Sequence, residues 1–104
     1  MSARYFGDSV LRALTRSDER ASFLRVHATG SSCVIGYELD DLWVPLFRLA
    51  HGSAAFNVAN LQVRHKTRWE PTFTRGTPEM IAEQLAGPFS FLWELHLPGS
   101  WGSG

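Results

Sequence analysis

The chain has 104 residues, 44% hydrophobic and 19% charged, with ten basic side chains, ten acidic ones and one cysteine. That length holds one domain with a real core and no room for a second, and the apolar fraction is too high for a disordered chain. Zero net charge excludes a global field toward nucleic acid or membrane, the lone Cys33 excludes an internal disulfide, and no run approaches the ~20 apolar residues a membrane helix needs.

The first ten residues, "MSARYFGDSV", hold no apolar stretch behind Arg4, so no signal peptide is expected. With the unpaired cysteine, this points to a reducing cytoplasm. Val10, Leu11 and Leu14 fall on one face at helical spacing, which predicts a short helix over 8–16 capped by Asp8 or Ser9. Ser17 and Asp18 follow as turn residues or as the cap of a further turn. From Ser22 the period changes to two. In "SFLRVHA", Leu24 and Val26 point to the core against Phe23, Arg25 and His27, and "TGSS" at 29–32 is a turn by composition. "CVIGYEL" sets Cys33, Ile35, Tyr37 and Leu39 on one face, Asp40 and Asp41 break the pattern, and "LWVPLFRLA" resumes as an apolar strand. Pro45 cannot donate to a ladder, so that strand is expected at an edge or with a bulge.

"AHGS" at 50–53 turns the chain, and "AAFNVANLQVRH" forms a longer strand. Phe56 and Val58 share one parity and Leu61 and Val63 the other, so the slip around Ala59 and Asn60 predicts a β-bulge. Lys66 and Thr67 form a hairpin tip, after which Trp69 and Phe73 are expected inward and Glu70, Thr72 and Thr74 outward. Thr77 caps a helix over 78–86, with Pro78 at its first position, Gly87 ending it, and Ile81, Ala82 and Leu85 buried. In "PFSFLWELHL", Phe89, Phe91, Trp93, Leu95 and Leu97 alternate as in a strand, while Phe89, Leu92, Trp93 and His96 fit a helical face. The strand is the preferred reading. The tail "PGSWGSG" at 98–104 is expected to be flexible. The chain therefore reads as a single α+β domain over 1–97: a curved, mainly antiparallel sheet of about five to six strands with two short flanking helices.

The densest charge lies in "RHKTRWEPTFTR", residues 64–75, where Arg64, Lys66, Arg68 and Arg75 against Glu70 leave a local +3. Arginine grips phosphate with paired N–H donors and Trp69 can stack on an unpaired base, so nucleic-acid binding through these four cations is one reading. Strand parity argues against it. It puts Arg64, Lys66 and Arg68 on one face and Trp69 and Phe73 on the other, in the core, which makes a solvated hairpin tip the preferred reading. The acidic "YELDD", with Glu38, Asp40 and Asp41, reads as turn chemistry, because a calcium loop's further oxygen ligands are missing. The two charged segments can also face one another across a dimer contact.

His27, His51, His65 and His96 stand far apart and there is no second cysteine, so no zinc site of neighbouring ligands, and no cofactor, is expected. On a strand, Glu94 and His96 project to one side as a carboxylate–imidazole pair, the arrangement that orients a general base in a small hydrolase or isomerase. A plain surface salt bridge is the preferred reading of that pair. Cys33 among apolar neighbours reads as an inert buried thiol. GxSxG, a phosphate loop and a dinucleotide fingerprint are all missing.

The remaining pattern is aromatic, with four tryptophans and seven phenylalanines. Trp43, Phe47, Trp69, Phe73, Phe91 and Trp93 come from three proposed strands and can line one concave sheet face. Such a face holds an apolar or cationic small molecule, fills a core, or seals a dimer. The sequence thus predicts a small non-enzymatic binding or accessory protein, homodimeric and cytoplasmic. Its ligand or protein partner would meet Trp43, Trp69, Phe73, Trp93, Glu94 and His96, with nucleic acid as the second reading and catalysis the third.

Overall fold

The structure, a computed structural model, describes residues 2–52 and 55–98. The proposed tail beyond Pro98, Ser53 of the turn expected at 50–53 and the Phe56 side chain lie outside the described residues, and Ala50, His51 and Gly52 of that expected turn extend a strand. The fold is α+β. Helix α1 (Ala3–Ser17) leads through a 3₁₀ turn (Glu19–Phe23) into strands β1 (Arg25–Thr29), β2 (Ser32–Leu39), β3 (Leu42–Gly52), β4 (Ala55–His65) and β5 (Arg68–Gly76), followed by helices α2 (Pro78–Ala86) and α3 (Phe91–Glu94). The strands pair antiparallel in chain order as an open five-stranded meander, which leaves β1 and β5 as edges.

Helix α1 begins five residues earlier than its expected start. Ser2 caps it, its side chain accepting from the Tyr5 N–H, and Ala3, Phe6, Gly7, Val10 and Leu14 make the buried stripe one turn longer. Gly7 serves close packing. A Cβ there would come within 2.9 Å of Cys33 Sγ and of Val26, so only glycine lets the helix lie this near the sheet. Asp18 then caps the 3₁₀ turn, accepting from Arg20 N–H, and this turn replaces the expected extended start at Ser22 and Phe23.

Helices α1, α2 and α3 cover one face of the sheet. The register sets Val26, Ile35 and Phe47 in one row and Cys33, Leu49 and Leu61 in the next, all facing the helices. These residues join Phe6, Val10, Leu14, Ile81, Leu85 and Trp93 in a single core. Their burial drives folding, at about 25 cal/mol for each Å² of apolar surface withdrawn from water.

Pro45 sits not at an edge but in the central strand, where it faces Gly36 across a bulge that leaves Leu46 as the extra residue. The missing N–H matters little there, since β4 pairs with β3 from Phe47 onward and leaves the Pro45 stretch hydrogen-bonded on the β2 side alone. The slip expected near Ala59 and Asn60 spans residues 56–59, which bulge opposite His51. A second irregularity falls in β5, where Asn60 faces Arg75 and Gln62 faces Pro71, so residues 72–74 oppose Leu61 alone.

The segment 88–97 is not a strand: turns at 87–90 and 95–96 flank the short helix α3 (Phe91–Glu94). A strand would leave the C-terminal carbonyls of α2 without partners, whereas in the helix Trp93 Nε1 donates to the Leu85 carbonyl at 2.8 Å. That contact drives the Trp93 ring to full burial, with Phe89, Leu92 and Leu97 packed around the core, while Phe91 and Leu95 face solvent. The five-residue alternation in the sequence therefore carries no structural meaning.

Candidate functional site

The six aromatics expected on one face divide among three environments. Phe47 and Trp93 are fully buried in the core, Phe73 and Phe91 are exposed, and Trp43 and Trp69 are half-buried. Trp93 is thus a core residue and not a ligand contact. Phe73, expected inward, is instead fully exposed on edge strand β5, because the irregularity at 72–74 lifts it off the sheet. There the Thr72 side chain turns in and donates from its hydroxyl to the Leu61 carbonyl at 2.7 Å.

Glu94 and His96 take separate partners. Glu94 accepts from the Arg20 guanidinium at 3.2 Å, and that guanidinium also chelates Asp18 and lies 5.8 Å from the Trp93 ring centroid. His96 Nδ1 meets the Tyr37 hydroxyl at 3.1 Å. On a helical turn the two side chains lose the shared direction that a strand would give them. Both fasten α3 to the body of the domain, and Arg20 stands at the centre of its cluster.

Among the described residues, no helix covers the second face of the sheet. Its rows follow from the register: Arg25, Gly36 and Pro45; His27, Val34, Arg48 and Gln62; Glu38 and Trp43; Arg64 and Trp69. Trp69 is therefore on the outer face beside Arg64, and the parity expected from the sequence is reversed. A two-residue turn with Lys66 in the left-handed region pairs Arg64 with Trp69 and His65 with Arg68. Arg64 and Arg68 consequently lie on opposite faces, and the four expected cations do not form one patch.

Two preformed aromatic clusters occupy this face. His27 on β1 stacks on Trp43 from β3 with centroids 3.6 Å apart and planes within 12° of parallel. They meet across the row where Gly36 places no side chain between them. The second cluster is Trp69 with two guanidiniums, Arg64 at 5.5 Å and Arg48 at 6.0 Å from its ring centroid. Arg48 is fixed by donating from Nε to Gln62 Oε1 at 2.8 Å. Sequence reasoning misses Arg48, which reads as one charge inside an apolar strand; its outward parity in "LWVPLFRLA" is the signal that could have found it.

The acidic turn is structural. Asp40 and Asp41 adopt φ of 51° and 65°, the left-handed pair of a tight hairpin, which Asp tolerates better than most residues. Among the described residues no three His, Cys, Asp or Glu side chains gather into a group that could hold a metal ion. Cys33 is buried, and desolvation, with Asp8 repelling the thiolate, pushes its thiol up to about 12. A cleft of about 550 Å³ runs between α1 and edge strand β1, lined by Arg4, Asp8, Phe23, Leu24, Arg25 and Glu38 among others. Its charges are mixed and its mouth wide. No helix of the described residues is long and apolar enough to cross a membrane. No protein-family model, no characterised protein and no solved structure matches the chain.

Proposed function

We propose that the protein is a non-catalytic binding module whose uncovered sheet face is its recognition surface. One observation carries this reading: Trp43 and Trp69 are held ready on the outer face by His27, Arg48 and Arg64 instead of being used in the core. A half-buried tryptophan gripped by its neighbours has little side-chain entropy left to lose on binding, which is how aromatic anchors contribute affinity. The division of Glu94 and His96 between Arg20 and Tyr37 argues against the catalytic alternative. A cationic small ligand is also disfavoured, since two guanidiniums already stand at Trp69. We place the protein in the cytoplasm on the strength of its single buried, free cysteine.

Oxidative footprinting tests the reading while the partner is still unidentified. Trp43 and Trp69 should be oxidised in the purified protein and protected in a fresh lysate of its source cells, while Phe91 reacts equally in both. Equal oxidation of the tryptophans in the two preparations removes the proposal.

A homodimer is the second reading, and Phe73 favours it. The ring is 109% exposed relative to its reference and stands on an edge strand close to Met80, itself 54% exposed. Phe73→Asp should leave the stability of the protomer within about 0.5 kcal/mol and shift a dimer to monomer in sedimentation. A wild-type protein that sediments as a monomer at all concentrations discards the dimer.

A further inference from the structure

Resting on that reading of the outer face, we infer that its occupant is single-stranded nucleic acid, with bases stacked on the His27–Trp43 pair and on the Arg48–Trp69–Arg64 cluster. The first support is charge. By register Arg48, Arg64 and Arg75 lie on the outer face with no acid among them, while Arg25 and the acid Glu38, of the same parity, line the cleft beside α1. Since the whole chain is neutral, the rest of the molecule carries the compensating acid excess. The charge is sorted by face, and the zero net value conceals a basic surface on one side of the sheet.

The second support is the kind of contact offered. Arg25 is turned away, donating to the Ser22 and Leu24 carbonyls, but Arg48 and Arg64 remain beside Trp69, and Arg75 stands further along the same face. A planar ring next to guanidinium forks suits a base with its phosphate, because every base has a π-face and arginine meets phosphate with two donors. The exposed His27 ring extends the stack on Trp43. Trp69 lies two strands from Trp43 and, by register, three residues further along, so the clusters stand roughly 14 Å apart at normal strand spacings, within reach of a few extended nucleotides.

The alternatives fit less well. A second copy of this face would set one basic surface against another. A duplex hides the faces of its bases, leaving the tryptophans without a role. The objection raised by sequence parity, that the aromatics would be sequestered from the cations, is removed by the pairing of Arg64 with Trp69.

The test is fluorescence anisotropy of the full chain with labelled oligothymidylate and oligouridylate of about twelve nucleotides, alongside a duplex of equal length. With three phosphates engaged, affinity should fall roughly 20-fold between about 50 and about 200 mM salt. Trp43→Ala and Trp69→Ala should each weaken binding roughly tenfold, Arg64→Glu at least as much, and the duplex should bind about tenfold more weakly than the single strand. Circular dichroism and thermal melting confirm that each variant is folded, and Phe91→Ala serves as the surface control. Absence of binding by folded wild-type protein at about 0.1 mM, or binding indifferent to both Trp43→Ala and Arg64→Glu, overturns the inference. Nuclease treatment separates the nucleic acid from the recognition face itself. If lysate protection of Trp43 and Trp69 is abolished by nuclease, the nucleic acid stands. If protection survives nuclease and no oligonucleotide binds, the occupant is a protein, and the inference fails while the recognition face remains.

Discussion

The two faces of this sheet use the same kinds of residue for opposite ends. On the inner face Phe47, Ile35, Leu49 and Leu61 meet three helices and lose all contact with water. On the outer face, along the same strands, Trp43 and Trp69 keep partial exposure and are steadied by cations and a histidine instead of by apolar packing. Aromatic content alone therefore says nothing about location. What separates a core ring from a displayed one is the company across the strand: Phe47 faces Ile35 and Val63, whereas Trp69 faces Arg64.

Deleting one tryptophan from each side puts the largest strain on this contrast. Trp93→Ala removes a fully buried ring and the hydrogen bond to Leu85, and should cost about 3–5 kcal/mol in urea unfolding, enough to threaten folding of a small domain. Trp43→Ala and Trp69→Ala should cost no more than about 1 kcal/mol each, since their removal opens no closed cavity. A loss at Trp43 equal to that at Trp93 would mean that the outer face is covered in solution and belongs to a packed interface.

Gly36 comes next and tests how one face depends on the other. It lies where the β3 bulge brings the Val44 carbonyl and the Pro45 Cα against it, so an added Cβ has backbone, not a flexible side chain, in its way. Gly36→Ala should cost roughly 2–3 kcal/mol and also disturb the His27–Trp43 stack above it, read as a change in tryptophan fluorescence. A neutral Gly36→Ala would show that the bulge relaxes freely and that the stack does not depend on it.

These residues also mark how far the fold is legible in the sequence. The meander, the hairpin turns at 40–41 and 66–67, and helix α2 with its Thr77–Pro78 start can be read because caps, turn residues and period-two alternation are local signals. The α3 segment cannot, because its outcome rests on particular contacts, from Trp93 to the Leu85 carbonyl, from Arg20 to Glu94 and from Tyr37 to His96, which no periodicity encodes. At the candidate site the obstacle is different. Trp69 and Arg64 both stand out in the sequence, yet parity counted along the chain through the turn separates them. A two-residue hairpin folds the strand back so that residues equidistant from its tip share a face. Arg48 joins them only through the central position of β3 in the sheet, which is a matter of strand order and not of local pattern.

Cys33 offers a smaller effect on the inner side. Its thiol, raised by burial from 9.0 to about 12, stays protonated in the folded state while the unfolded chain ionises. The folded state then holds more protons than the unfolded state between those values, so stability present below pH 9 declines as pH rises toward 12. Cys33→Ala should flatten that part of the alkaline decline, and a thiol reagent at neutral pH should label the wild-type protein only as fast as it unfolds. Rapid labelling of the folded protein would show that the contact of α1 with the sheet at Gly7 opens readily.

The smallest expected effect concerns Asp18, at the junction that ties the 3₁₀ turn to α3. Hydrogen bonds from Arg20 hold its carboxyl below the ordinary 3.8, so its contribution is complete above that value and is lost as pH falls through the lowered one. The pair is solvent-exposed and screened, and its deletion should scarcely alter unfolding at neutral pH. Asp18→Asn should instead remove a shallow acid limb from the stability profile, and added salt should produce the same flattening in the wild type. The parallel with the outer face is direct. Arg20 lies over Trp93 much as Arg64 lies over Trp69, at 5.8 and 5.5 Å. Arg20, however, is also neutralised by Asp18 and Glu94, while Arg64 spends its Nε donor on the Lys66 carbonyl and forms no ion pair among the described residues. If reversing Arg20 weakens oligonucleotide binding as much as reversing Arg64, the sorting of charge by face does not govern recognition. If only Arg64 matters, a cation over a tryptophan binds when its charge is left for a ligand to meet.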